Sequence, residues 1–112
     1  MALEKAGEAF EAGEVPVGAV LVESSGRHFA DRNRTGETGL PSAHAEHLVI
    51  TAAAKDRGDW RLEGCRLYTT LEPCLMCAGL IVLARVPRLV YGAKDNRFGA
   101  FGTVTDVLEM KE

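Results

Sequence analysis

Apolar residues recur at helical spacing at the start of the chain: Ala2, Leu3, Ala6, Ala9 and Phe10 share a face. That spacing predicts a helix over residues 2–12, ended by Gly13. The pattern then changes. Residues 16–22 form an almost unbroken apolar run rich in valine, which predicts a strand buried on both faces. Ser24-Ser25-Gly26 reads as a hairpin turn into a second strand over residues 27–33. Gly36, Gly39, Pro41 and Ser42 mark residues 34–42 as a loop. Ser42 is placed to cap a helix over residues 43–56, which Gly58 would break.

Residues 59–64 read as a loop whose Trp60 is expected to cover the end of that helix. Residues 65–71 predict a strand, with Cys65 as a small buried hydrophobe. Pro73 suits the first turn of a helix running to Ala84. Residues 78–84 are apolar on nearly every side, so this helix is either buried all round or part of a subunit interface. Residues 88–93 predict a last strand. Alternating strands and helices imply a layered α/β sheet with helices on both faces. Ligands in such folds bind near strand ends and helix N-termini. No repeat or linker divides the chain, so residues 1–112 read as one domain.

Composition narrows the class. A chain of 112 residues buries about two thirds of its unfolded surface, enough for a modest core. A net charge of −3 gives no global basic field, so any nucleic-acid contact must use local patches. Three cysteines, an odd number, argue against a disulfide framework and for a reducing, cytoplasmic home. The first ten residues carry Glu4 and Glu8 and do not form a signal peptide. No stretch is long enough to span a membrane.

The chemistry gathers in two short pieces. Cys74 and Cys77 are three apart, so at a helix start their thiolates point the same way. Such a pair is half of a tetrahedral zinc site; His44 supplies a third ligand and a water the fourth. Three protein ligands and an open position form the catalytic arrangement. Bound zinc would lower the pKa of that water, and Glu46 beside it is free to move the proton. Two plainer readings stand beside this one. The cysteines are buried thiols or a redox pair, and His44 is a satisfied core histidine.

His44-Ala45-Glu46 followed by Pro73-Cys74-Leu75-Met76-Cys77 resembles the H-x-E…P-C-x-x-C signature of zinc nucleobase deaminases. Three longer phrases resemble the bacterial tRNA-specific adenosine deaminases of the cytidine deaminase-like superfamily. They are Glu14-Val15-Pro16-Val17-Gly18-Ala19-Val20, Thr70-Leu71-Glu72-Pro73-Cys74-Leu75-Met76-Cys77-Ala78-Gly79 and Val90-Tyr91-Gly92-Ala93-Lys94-Asp95. The resemblance implies a three-layer α/β/α fold around a mixed sheet, one Zn²⁺ per chain and a homodimer. It implies conversion of the wobble adenosine of a tRNA anticodon to inosine. Glu46 would be the catalytic proton carrier, with His44, Cys74 and Cys77 as zinc ligands. Asn33 would hydrogen-bond the flipped base, Asp95 would approach the ribose, and Val15 and Pro16 would form pocket wall. The Ala45 N–H would orient the attacking or departing group.

The resemblance also implies a further C-terminal strand and helix that this sequence does not include. His47 stands where the family carries an aliphatic residue, and reads as an imidazole on the solvent or interface side of its helix. Several choices stay open. Asn33 and Asp95 are also ordinary turn residues. Phe98 and Phe101 either stack on nucleotides or pack on the domain's own surface. Arg85, Arg88, Lys94 and Arg97 form either a phosphate-contacting edge or a solvated face. The same site would serve cytosine in single-stranded DNA or RNA, or a free base or nucleoside such as guanine or cytosine. A non-enzymatic reading is an inactive, zinc-stabilised binding domain.

Overall fold

A computed structural model describes residues 1–109. The elements are α1 (Ala2–Glu11), β1 (Gly18–Val22), β2 (His28–Arg32), α2 (Thr35–Thr38), α3 (Ala45–Arg57), β3 (Arg66–Leu71), α4 (Leu75–Leu83) and β4 (Arg88–Ala93). A short 3₁₀ turn follows at Val107–Glu109. The strands form one sheet in the order β2-β1-β3-β4. β1 runs antiparallel to both β2 and β3, while β3 and β4 are parallel and joined through α4. The sheet is therefore mixed, and the fold is the expected α/β/α arrangement.

β1 sorts the layers because side chains alternate along a strand. A Cβ on Gly18 would lie 2.1 Å from the Ala2 carbonyl oxygen and 2.6 Å from the Ala6 nitrogen, so this face of the sheet carries α1. Val17, Ala19 and Leu21 point the other way, into a core with Ala45, Val49, Ile50 and Ala53 of α3 and Ile81 of α4. Both faces are thus covered, and residues 17–21 are all buried, as the apolar run predicts.

Four features differ from expectation, each for a physical reason. β1 begins at Gly18, not Pro16: Pro16 has no N–H to give, and the Val17 N–H turns back to the Val15 carbonyl at 2.8 Å. A helical turn, α2, lies inside the expected loop. The Glu14 carboxylate accepts the Gly36 and Glu37 N–H groups at 2.9 and 2.7 Å, and Gly39 closes the turn at φ 71°. Ser42 does not cap α3. Its carbonyl accepts the His44 N–H at 2.8 Å, and His44 itself is the N-cap, in an extended conformation. Pro73 likewise lies just outside α4, whose N-cap is Cys74.

α4 is not buried all round. Cys77, Ala78 and Ile81 face inward, whereas Leu75, Met76, Val82 and Leu83 are exposed. Trp60 is also exposed, with the guanidinium groups of Arg61 and Arg85 at 5.5 and 5.4 Å from its ring. No helix among the described residues is long and apolar enough to cross a membrane.

Candidate active site

His44 and Cys74 are the N-caps of α3 and α4, both extended at ψ near the strand region. The crossing of these two helix starts brings the three expected ligands together. The Cys74 and Cys77 sulfurs each lie 3.6 Å from His44 Nδ1, and all three ligand atoms fall within 4.8 Å of one another. Zinc binds sulfur at about 2.3 Å and imidazole at about 2.0–2.1 Å, so a tetrahedral N···S edge measures about 3.6 Å. The spacing fits one zinc ion.

The charge of the set fits as well. A hydrogen bond from Cys77, resisted by burial and helped by His44, brings the Cys74 thiol down to about 4. The same bond, together with burial, pushes the Cys77 thiol up. In the metal-free protein this arrangement favours the negative charge on Cys74. The Cys74 hydrogen bond also raises the His44 imidazole, against burial.

Glu46 follows in the first turn of α3 and is buried. Burial raises its carboxyl above the usual range. Its Oε1 is the one buried side-chain oxygen or nitrogen among the described residues with no hydrogen-bond partner. Buried polar atoms are otherwise satisfied almost without exception, so this one marks a place for a bound group. A carboxyl held up by burial is suited to proton transfer near neutral pH.

His44, Glu46 and Cys74 open on a cavity of about 340 Å³. Val15, Asn33, Thr35, Asp95, Arg97 and Phe98 also line it. Pro16 and Ala45 do not. The Ala45 N–H is given to Asn33 Oδ1 at 2.8 Å, so it fixes Asn33 where a donor to a bound group was expected. Pinning Oδ1 leaves the Asn33 amide NH₂ as the end available to a ligand. Asp95 serves its own turn: its Oδ1 accepts the N–H groups of Arg97 and Phe98 at 2.9 and 3.1 Å. Phe98 is exposed, with the Arg97 guanidinium 5.3 Å from its ring, whereas Phe101 packs against the core. Arg97 lines the cavity, while Arg85, Arg88 and Lys94 do not. His47 is half-buried and lies outside the lining.

A family model for the cytidine and deoxycytidylate deaminase zinc-binding region matches residues 1–93. The chain belongs to this family. It is 51% identical over 109 residues to a tRNA-specific adenosine deaminase of Bacillus subtilis, an alignment covering 96% of this chain and 67% of that protein. A structure from work on A-to-I editing by tRNA:A34 deaminases at the wobble position superposes with a TM-score of 0.87 at 50% identity, covering 91% of this chain and 78% of the other. A guanine deaminase from Bacillus subtilis superposes with a TM-score of 0.81 at 30% identity, over 99% and 82% of the two chains. The family is zinc-binding, and His44, Cys74 and Cys77 are the residues here that can hold the ion.

One residue beside the deaminase motif carries no chemistry in the sequence reading and much in the structure. Glu72 is 1% exposed, and its carboxylate binds the segment after β4. Burial would raise its pKa, but hydrogen bonds from Thr103, Phe101 and Asp95 hold it below the usual carboxylate range. The only signal was a charged residue between the end of β3 and the Pro73-Cys74 pair. Its partners lie more than twenty residues away, beyond the reach of any local pattern.

Proposed function

We propose that this chain is a zinc-dependent hydrolase that deaminates adenosine to inosine in tRNA, at the anticodon wobble position. The observation that carries the reading is the unpartnered, buried Glu46 oxygen beside a His44, Cys74, Cys77 set that fits zinc. A metal held only for stability has no use for a free carboxylate in a cavity. Bound zinc would supply Lewis acidity, making water a nucleophile at neutral pH. Glu46 takes one proton from the attacking water and delivers it to the ring nitrogen, where it stays. The second proton of that water then passes through Glu46 to the amine as the C6–N bond breaks and the C6 carbonyl forms. Ammonia leaves and inosine remains. Asn33 holds the flipped base through its free NH₂, and Val15 flanks it. Asp95 and Phe98 meet the sugar and bases beyond it. Pro16, outside the lining, lies within the turn that the Val17 N–H closes on the Val15 carbonyl.

The relatives named for tRNA favour an RNA substrate. The exposed apolar side chains of α4 suit a homodimer, in which Leu75, Met76, Val82 and Leu83 would meet a second copy. Three free cysteines suit a reducing cytoplasm. A second reading, a free-base deaminase, is favoured by the fold shared with guanine deaminase. Metal analysis followed by ammonia release from a tRNA stem-loop, single-stranded DNA, nucleosides and free guanine or cytosine separates these. About one zinc per chain and release from the stem-loop are expected. Release from guanine alone would establish the second reading, and zinc without any release would leave a binding domain.

A further inference from the structure

Glu72 sits between β3 and Pro73-Cys74, where the chain turns from the sheet to the metal end of the cavity. Every hydrogen bond its carboxylate accepts comes from the segment after β4. Oε1 takes the Asp95 N–H at 3.2 Å and the Thr103 hydroxyl; Oε2 takes the Phe101 N–H at 2.8 Å and the Thr103 N–H at 3.3 Å. No cation pairs with it among the described residues. The backbone joins the same clasp. The Ala100 N–H reaches the Pro73 carbonyl at 3.0 Å, and Gly99 forms an isolated bridge with Cys74. The fit is tight: a Cβ on Gly99 would lie 2.6 Å from both the Glu72 carboxyl carbon and the Asp95 carbonyl oxygen.

A buried carboxylate is costly unless every donor around it is in place. Four donors converging from one segment therefore select one conformation of that segment. The part so held carries Asp95, Arg97 and Phe98, all lining the cavity. The metal ligands sit at the starts of α3 and α4, and only the backbone of Cys74 touches the segment, through its bridge with Gly99.

We infer that Glu72 is a positioning residue, which clasps the 95–103 segment so that Asp95, Arg97 and Phe98 meet the nucleotides around the reacting base. The inference rests on the reading of this site as a nucleic-acid deaminase. Glu72 sets how a polynucleotide is held, not how the base reacts. A polynucleotide should feel its loss more than a free nucleoside.

Four variants test this. Glu72→Gln keeps the shape but turns an NH₂ toward N–H donors. Gly99→Ala displaces the segment while leaving the carboxylate, and Thr103→Val removes only the hydroxyl. Thr103→Ser keeps it. Zinc content, the rate of tryptic cleavage after Arg97 in the native protein, and kcat and KM on a tRNA anticodon stem-loop and on adenosine would be measured. In Glu72→Gln and Gly99→Ala we expect cleavage and stem-loop KM each to rise about tenfold, since hydrogen bonds to a charged group are lost. Zinc should stay bound, and kcat should stay within about threefold. Thr103→Val should fall between these and wild type, and Thr103→Ser should match wild type. Zinc loss with a fallen kcat and unchanged KM would overturn the inference. So would unchanged cleavage after Arg97, or a Thr103→Ser variant no better than Thr103→Val. A wild type inactive on the stem-loop would overturn the functional reading instead, and the cleavage rates would still decide whether Glu72 holds the segment. Should Glu72→Gln fail to fold, Gly99→Ala and Thr103→Val carry the same outcomes.

Discussion

The metal end of the cavity rests on two helix starts, whereas the opposite end rests on a segment clasped to one carboxylate. At the metal end, His44 and Cys74 are N-caps and Cys77 sits one turn on, so the starts of two helices carry all three ligands. Glu46 is buried there. At the other end Arg97 and Phe98 are exposed, and Asp95 is half-buried in a turn of its own making. The difference separates two tasks. Chemistry needs atoms fixed to a fraction of an ångström and shielded from water, which short spans of regular backbone provide. Recognition of a large ligand needs reachable side chains, and those sit on irregular chain held by polar contacts.

Glu46→Gln gives the largest expected break between the two ends. It should lower deamination by about 10²–10⁴-fold, the usual contribution of a general acid–base group. Zinc content and stem-loop affinity should not change. Stability should not fall either, because Glu46 Oε1 has no hydrogen bond to lose. Ammonia release, metal analysis and thermal unfolding on one preparation check this. Turnover near wild type would remove Glu46 as the proton carrier.

Zinc removal probes the metal end alone. With Cys74 brought down to about 4 and Cys65 pushed up by burial, the two thiols differ in charge at pH 6. Alkylation of the metal-free protein at that pH should modify Cys74 first, by about a hundredfold over Cys65. Restored zinc should protect Cys74. Peptide mapping over a time course reads both. Preferential labelling of Cys65, or labelling of Cys74 that ignores zinc, would contradict the assigned site.

The two ends also differ in how far the sequence revealed them. His44, Glu46, Cys74 and Cys77 lie in two short spans, so ligand spacing and motif were legible directly. The sheet was legible too, because apolar runs and breakers such as Gly58 act locally. The clasp was not. Glu72 meets Thr103, 31 residues on, and Glu14 meets Glu37, 23 residues on. Neither contact leaves a periodic trace. Ser42 misled because cap propensity is weaker than the geometry that holds His44 in the extended region. The two phenylalanines looked alike in sequence and divide in space. Phe101 is drawn under the clasp by its N–H bond to Glu72, and Phe98 is left outside.

That division predicts a smaller effect at the open end. Phe98→Ala should raise stem-loop KM about tenfold, as the loss of one base stacked on an aromatic ring. kcat on saturating substrate should hold. Phe101→Ala should act on stability instead, because its ring packs into the core. Steady-state kinetics beside thermal unfolding separates the pair, and a Phe98 variant with unchanged KM would show that no base stacks there.

The smallest expected effect belongs to Asp95. Its Oδ1 already accepts the N–H groups of Arg97 and Phe98, and an asparagine can accept both in the same way. Asp95→Asn therefore keeps the turn and removes only the charge. A ribose 2′-OH can donate to a carboxylate, and that hydroxyl is what separates RNA from DNA at a given contact. Hydrogen bonds to charged groups contribute about 1 kcal/mol more than neutral ones, which is about fivefold in rate where the bond forms in the transition state. Wild type should therefore favour an RNA stem-loop over the matched DNA, and Asp95→Asn should narrow that preference about fivefold. Its tryptic cleavage after Arg97 should match wild type, since the turn survives. Rates on matched RNA and DNA hairpins decide the matter. An unchanged ratio with an intact turn would assign Asp95 to the segment's own architecture and leave sugar discrimination to another residue of the cavity.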